Sequence, residues 1–249
     1  MPTSEPGKMD APITFYNHGK LGDAIGVKVD HDTATVDIFI RGDLRQPVVK
    51  RITGQDASWF AHLTLHRHDL TTAKKFLDEF QRLNSSAENA TACAALWIAA
   101  VAATIKCFDA SSAARDELKP DTIFGASTPV RADFKHLKYL RNKHISHDES
   151  NWMQCNPLVI IDDLDGTPTI NSVHGMVVLG ESANADNIGR LRRVIDSALA
   201  WVQTEWDDLA EALLTDLRSH SRAELAVLPD VTGALPHEGS VGKNRGKAN

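Results

Sequence analysis

The sequence is short of cysteine and of positive charge, and each shortage removes a class of protein. Only 3 cysteines, Cys93, Cys107 and Cys155, occur in 249 residues. Their odd number and the lack of a short paired spacing argue against a disulfide framework and a cysteine-rich zinc site, so a reducing, cytoplasmic setting is expected. With 27 Lys and Arg against 33 Asp and Glu, the net charge is -6. That balance excludes an overall basic nucleic-acid binder, and any contact with nucleic acid has to be local. The glycines build no phosphate loop. Gly19, Gly22 and Gly26 are followed by no Gly-Lys-Ser/Thr and no suitable βαβ context, and no Gly-x-Ser-x-Gly elbow presents a nucleophilic serine. The opening residues MPTSEPGKMDAP hold no apolar run after their charges, so no secretory signal is expected there.

Long hydrophobic runs are also scarce. The strongest is Asn89 to Ile105, which lacks charge and sets Leu96, Trp97, Ile98, Val101 and Ile105 among alanines. A membrane span needs about 20 predominantly apolar residues. This run is shorter, Ala-heavy and interrupted by Thr91 and Thr104, so no membrane association is expected. It reads as a central helix buried on most sides, whose alanines let neighbouring helices approach.

What remains is enough for a sizeable core, with 42% hydrophobic and 24% charged residues. Residues 1–12 read as a flexible tail, and 221–249 as a disordered one that mixes Gly, Pro and charge without hydrophobic period. Residues 13–55 hold an N-terminal hairpin, with β-rich runs Ile25 to Val29 and Thr35 to Ile40 around a turn. Residues 56–220 form a helical core. Asp56 and Ser58 are candidate caps for a helix from about Trp59, and Leu70, Ala73, Leu77 and Phe80 continue the period, as two helices or one bent one. A helix over Val130 to His147 follows the start signal Ser127-Thr128-Pro129. Runs Leu158 to Asp162 and Val173 to Leu179 predict a hairpin inserted at 157–180. From Ile188 to Leu217 the apolar residues alternate spacings of three and four, predicting an amphipathic helix about 45 Å long.

The segment Phe134 to Glu149 carries the chemistry. On a helical wheel advancing about 100° per residue, Phe134, Leu137 and Ile145 fall within about 40° of Arg141, which puts a guanidinium in the middle of the apolar stripe. A buried guanidinium needs a carboxylate, a carbonyl or an anionic ligand. His144 and His147 follow at three-residue steps on the flank of the stripe. From Arg131 to His147 the only acid is Asp133, against Arg131, Lys135, Lys138, Arg141 and Lys143. This basic stripe in an acidic chain is what a phosphate-contacting patch needs.

Arg141-Asn-Lys-His-Ile-Ser-His147 resembles the arginine, four-to-six-residue, histidine motif of HEPN domains, including the polar Asn142 after the arginine. The surrounding LRNKHISHDE is similar to bacterial HEPN-like proteins of the abortive-infection type. Leu96-Trp97 through Cys107-Phe108 resembles a pattern carried by their preceding helix. The likeness covers roughly 56–150 and the long helix at 185–217. It implies a mainly α fold, a HEPN-like helical bundle to which two small β-hairpins are added, α+β in sum. It also implies a metal-independent endoribonuclease without cofactor, a homodimer acting on RNA as a toxin or phage-defence effector, with an antitoxin or operon partner.

Such chemistry is reasonable, because RNA carries its own nucleophile, the 2'-hydroxyl. A histidine that exchanges protons near neutral pH and a fixed cation for the phosphorane can suffice. The resemblance makes His147 the general acid or base, Arg141 the phosphoryl-stabilising cation and Asn142 an orienting group, with His144 the competing histidine. Arg131, Lys135, Lys138 and Lys143 would bind RNA. In an ideal helix Arg141 and His147 stand about 120° and 9 Å apart, so a two-fold partner has to complete the site. The plainer alternatives are that Arg141 is a structural ion pair, that the histidines complement a helix C-terminus, and that the fold serves as a non-catalytic interaction or nucleotide-binding module. His62 and His66 lie four apart on a helix, but no third ligand at metal spacing accompanies them, and no metal is expected.

Overall fold

Helix α1 (Gln55–Leu83) starts where the chain turns through Gly54, whose φ of 112° suits a residue without a Cβ. Ser58 N donates to Gly54 O at 3.0 Å, and Asp56 falls in the first turn, where its charge complements the helix dipole. The two expected stretches are thus one helix, and Asp56 and Ser58 lie inside it. The computed structural model describes residues 16, 18, 25–30, 35–41, 47–84, 86–109, 115–145, 153–162, 169–180 and 182–231. The expected tail 1–12 and the tail beyond residue 231 lie outside the described residues.

The chain is mainly α, with two antiparallel hairpins among the described residues. Strands β1 (Ile25–Asp30) and β2 (Thr35–Ile40) pair from Ile25 opposite Ile40 to Asp30 opposite Thr35. After α1 come α2 (Ala90–Lys106), α3 (Pro120–Phe124) and α4 (Pro129–Leu140), which passes into a π-helical turn at Arg141–Ile145. Strands β3 (Met153–Asp162) and β4 (Thr169–Leu179) form the second hairpin, followed by α5 (Ala185–Ser219) and α6 (Arg222–Ala226). Two compact units result, Met1–Thr64 with Glu205–Asn249, and Leu65–Thr204. Helices α1 and α5 each run through both.

In the first unit Trp206 is 1% exposed, stacks on Phe60 with centroids 4.9 Å apart, and donates from Nε1 to Thr64 Oγ1 at 2.9 Å. The indole thus buries its rings while its one donor is satisfied. Residues 221–231 are described as ordered structure, in contrast to the expected disordered tail. Ser221 and Glu224 form a reciprocal capping box on α6, Arg51 N donates to Pro229 O at 2.8 Å, and Lys50 pairs with Asp230 at 2.7 Å. That box is a Ser-x-x-Glu visible in the sequence, masked there by the polar residues around it.

In the second unit Leu70, Ala73, Leu77 and Phe80 of α1, Trp97, Ala100, Val101 and Ile105 of α2, Phe134 and Leu137 of α4, and Leu191, Val194, Ile195 and Val202 of α5 are all buried. Each large side chain buried this way stabilises the fold by about 1.5–3 kcal/mol. The rim carries ion pairs, Lys74 to Asp196 at 2.6 Å and Arg192 to Asp78 at 2.8 Å. Asp69 accepts from Arg115 Nη1 at 2.7 Å and pairs with Lys106 at 3.2 Å, and buried His66 donates from Nε2 to Asp116 O at 2.9 Å, so the segment before α3 is tied to α1. Buried Asn187 holds the start of α5, with Oδ1 2.9 Å from His136 Nε2 and Nδ2 donating to Ser182 O at 3.0 Å.

Helix α2 with its preceding turn, Ala87–Lys106, is the one helix among the described residues long and apolar enough to cross a bilayer. Cys93, Trp97, Ala100, Val101, Thr104 and Ile105 are buried within the unit. The expectation of burial on most sides needs correction: Thr91, Ala94, Ala95 and Ile98 face solvent. The alanine content marks one packed side and one open side.

The second hairpin is longer than expected, because β3 begins at Met153 and runs through Pro157. Proline lacks a ladder donor and argues against a central strand, but each strand of a two-stranded ribbon has a free edge that tolerates it. Pro157 lies opposite Gly175, and Asn171 is an extra residue between the pairs Ile160–Ser172 and Ile161–Ile170.

Candidate nucleic-acid interface

Helix α4 is set by Thr128, whose Oγ1 accepts from Arg131 N at 3.2 Å, and by Pro129 in the first turn. Of the two candidate caps, Thr128 is the one used. With its start fixed, α4 turns Phe134, Leu137 and Leu140 inward. The spacing 131, 135, 138 then aligns Arg131, Lys135 and Lys138 along one face, and Asn142 follows from the π-helical turn. These four residues line a groove of about 500 Å³, with Phe108, Glu117 and Pro120 from the preceding segment, Phe134, and Tyr139. Beneath it Phe108, Phe124 and Phe134 pack with centroids 4.7–5.6 Å apart, a rigid aromatic floor.

The electrostatics of the groove follow from what its acids are doing. Glu117 pairs with Lys119. Asp133, the one acid of the stripe, is buried and accepts from Arg193 Nε at 2.9 Å, with Arg190 at 3.9 Å. Arg131 is engaged by Asp121 at 2.6 Å and sits 5.5 Å from the Phe134 ring centre. Lys135 lies 5.8 Å from the centre of the Tyr139 ring, and among the described residues no carboxylate pairs with Lys135 or Lys138. Among the described residues, two lysines are therefore uncompensated beside an aromatic ring that is 54% exposed. Such a surface attracts phosphates and offers a face for a base to stack on.

Arg141 stands at the end of this row. Its side chain is 32% exposed, Nη1 donates to Asn142 Oδ1 at 2.8 Å, and Nη1 lies 3.6 Å from Asp109 Oδ2. The expected place in the middle of an apolar stripe is thus corrected to a half-buried site with a long ion pair. The cause is the π-helical turn, which ends the 100° period at Leu140, so positions carried across it by an α-helical wheel do not hold. His144 lies within the turn, where only its backbone is described. Lys143 is exposed and does not line the groove. His147, in the final part of the helix expected to reach it, lies outside the described residues.

Sequence reasoning missed Tyr139, Phe108, Glu117 and Pro120 in the groove, and Asp109 as the partner of Arg141. Tyr139 had a signal, four residues after Lys135 in a lysine-rich helix. The others belong to the segment from Phe108 to Pro120, nine or more residues before α4, which no local period connects to it. Among the described residues no three of His, Cys, Asp and Glu come together as a metal would require. His66, read as one half of a histidine pair, is instead spent on a backbone carbonyl. No protein-family model matches the chain, and neither the curated proteins nor the solved structures contain a match. The site is therefore defined by its own residues and geometry.

Proposed function

We propose that this chain is a metal-independent endoribonuclease of HEPN type, acting in the cytoplasm as a homodimer, as a toxin or phage-defence effector. One observation carries the reading: Arg131, Lys135, Lys138 and Asn142 line a single groove, with Tyr139 exposed beside them. In this reading Lys135 and Lys138 hold the RNA backbone and a base stacks on Tyr139. Asn142 borders the groove and also accepts from Arg141, which supports a role for the guanidinium beside the RNA phosphate. A histidine, His147 or His144, removes the proton of the 2'-hydroxyl. That oxygen attacks phosphorus, Arg141 offsets the charge gathering on the phosphorane, and a second protonated histidine from the two-fold partner gives a proton to the departing 5'-oxygen. The products carry a 2',3'-cyclic phosphate and a 5'-hydroxyl.

The test is cleavage of total RNA in excess chelator by wild type, Arg141→Ala and His147→Ala. Chelator-resistant cleavage lost in both folded variants is expected. Absence of cleavage by a well-folded dimer, or cleavage indifferent to either change, overturns the assignment. The contact between Arg141 and Asp109 favours a second reading, a non-catalytic interaction module in which Arg141 anchors the turn. Under that reading Arg141→Ala loses the fold or the dimer, and no nuclease is found.

A further inference from the structure

The second hairpin is an apolar ribbon on which no other helix or strand among the described residues packs closely. On one face Val159 and Ile161 of β3 and Ile170, Val173 and Val177 of β4 are 48%, 55%, 69%, 75% and 58% exposed, with Pro157 and Gly175 exposed between them. The pairing 159–173, 161–170, 157–175 and 155–177 puts all of these on the same side of the pleat. The opposite face is mixed: Gln154, Asn156, Ser172 and His174 alternate with Leu158, Ile160, Met176 and Val178, and Ser172 Oγ is 2.7 Å from His174 Nε2. Both faces therefore expose aliphatic side chains, Leu158, Ile160, Met176 and Val178 at 42–50%, and the Val159 face is the one without polar side chains between them. A lone two-stranded hairpin is marginal at best, and exposed aliphatic patches of this size mark binding surfaces.

We infer that the Val159–Ile161–Ile170–Val173–Val177 face is the contact with a second copy of this chain, two ribbons packing face to face about a two-fold axis. Charge favours this occupant. An isologous contact brings identical residues together, so it fails wherever the patch carries charge. In a chain with 60 Lys, Arg, Asp and Glu residues (27 + 33), the two strands hold a single charged residue, Asp162 at the turn end. Shape agrees as well. Gly175 opposite Pro157 leaves a shallow place between Val173 and Val177 into which a partner's valine can fit, as inner side chains interdigitate when sheets stack about 10 Å apart. The inference does not depend on the ribonuclease reading, since it concerns association alone.

The test is sedimentation velocity of the full chain from low to high micromolar concentration, for wild type, Val173→Lys and Leu158→Lys, with helix content checked by circular dichroism. The wild type is expected to dimerise, Val173→Lys to raise the dissociation constant roughly tenfold or more, and Leu158→Lys, on the mixed face, to change it by less than about threefold. Should Val173→Lys fail to fold, hydrogen exchange on the wild type decides the matter, with peptides spanning 153–179 gaining protection as protein concentration rises. A wild type monomeric throughout, a dimer that Val173→Lys leaves intact, equal loss in both variants, or exchange that ignores concentration each overturns the inference. Binding of a persistent monomer to lipid vesicles would assign the face to a membrane surface and overturn it too.

Discussion

Arg141 Nη1 donates to Asn142 Oδ1 at 2.8 Å, so the residue that closes the row along the groove also aims the neighbouring guanidinium. The tie is between adjacent residues of the π-helical turn. It separates what Arg141 does for stability from what it does for RNA.

Removal of Arg141 should hardly affect the fold. Its ion pair with Asp109 is long and both side chains are 32% exposed, so the pair contributes at most about 1 kcal/mol. Arg141→Ala should therefore shift the urea midpoint little while lowering RNA cleavage on the order of 100-fold. Arg141→Lys should restore little of it, since an ammonium lacks the planar fork. A large loss of stability with unchanged cleavage would contradict this.

Lys138 and Lys135 should act on affinity through salt. Each Lys→Ala change is expected to weaken RNA binding and to flatten the dependence of log K on log salt by about 1. Lys74→Ala is the control, since Lys74 pairs with Asp196 on the rim of the second unit and does not line the groove. Fluorescence anisotropy with a single-stranded RNA at several salt concentrations measures it. Tyr139→Ala should lower affinity without changing that slope.

Asp69 should make the fold sensitive to acid. Burial pushes its carboxyl up, but the hydrogen bond from Arg115 and the charges of Lys106 and Arg115 prevail, and its pKa lies below the ordinary carboxylate value of 3.8. A folded pKa below the unfolded one stabilises the fold fully above the unfolded value, and that stabilisation is lost as pH falls through the folded one. The stability gap between wild type and Asp69→Asn should therefore be widest near neutrality and close below pH 3.8. Urea titrations at neutral and acid pH test this, and a gap that widens in acid would refute it.

Thr64→Val should cost about 1–3 kcal/mol, because it leaves the buried Trp206 Nε1 without its acceptor while keeping the volume of the side chain. Thermal unfolding followed by tryptophan fluorescence gives the number, and an unchanged midpoint would show that the indole finds another partner.

Cys107 should resist thiol reagents in the folded chain. Burial pushes its pKa up to about 12, so almost no thiolate is present at pH 8. Peptide mapping after alkylation should find Cys107 unmodified until denaturant is added.

The long helices, both hairpins and the sign of the α4 surface were legible in the residues alone. Each depends on neighbours within about one turn or one strand: the three-and-four spacing from Ile188 to Leu217, the β-branched runs, the lysines of one helix face. The stripe of cations from Arg131 to Lys138 follows from that spacing. The 3.6-residue period carried no warning of the π-helical turn after Leu140, because such a turn answers to what packs around it, and α2 packs there. Nor could local pattern show that Asp133 is neutralised from α5 or that Asp109 reaches Arg141, since each depends on which chain segments meet in space. Sequence period sets which residues share a face. Packing sets which faces meet, and so which of the charges on α4 are left for a ligand.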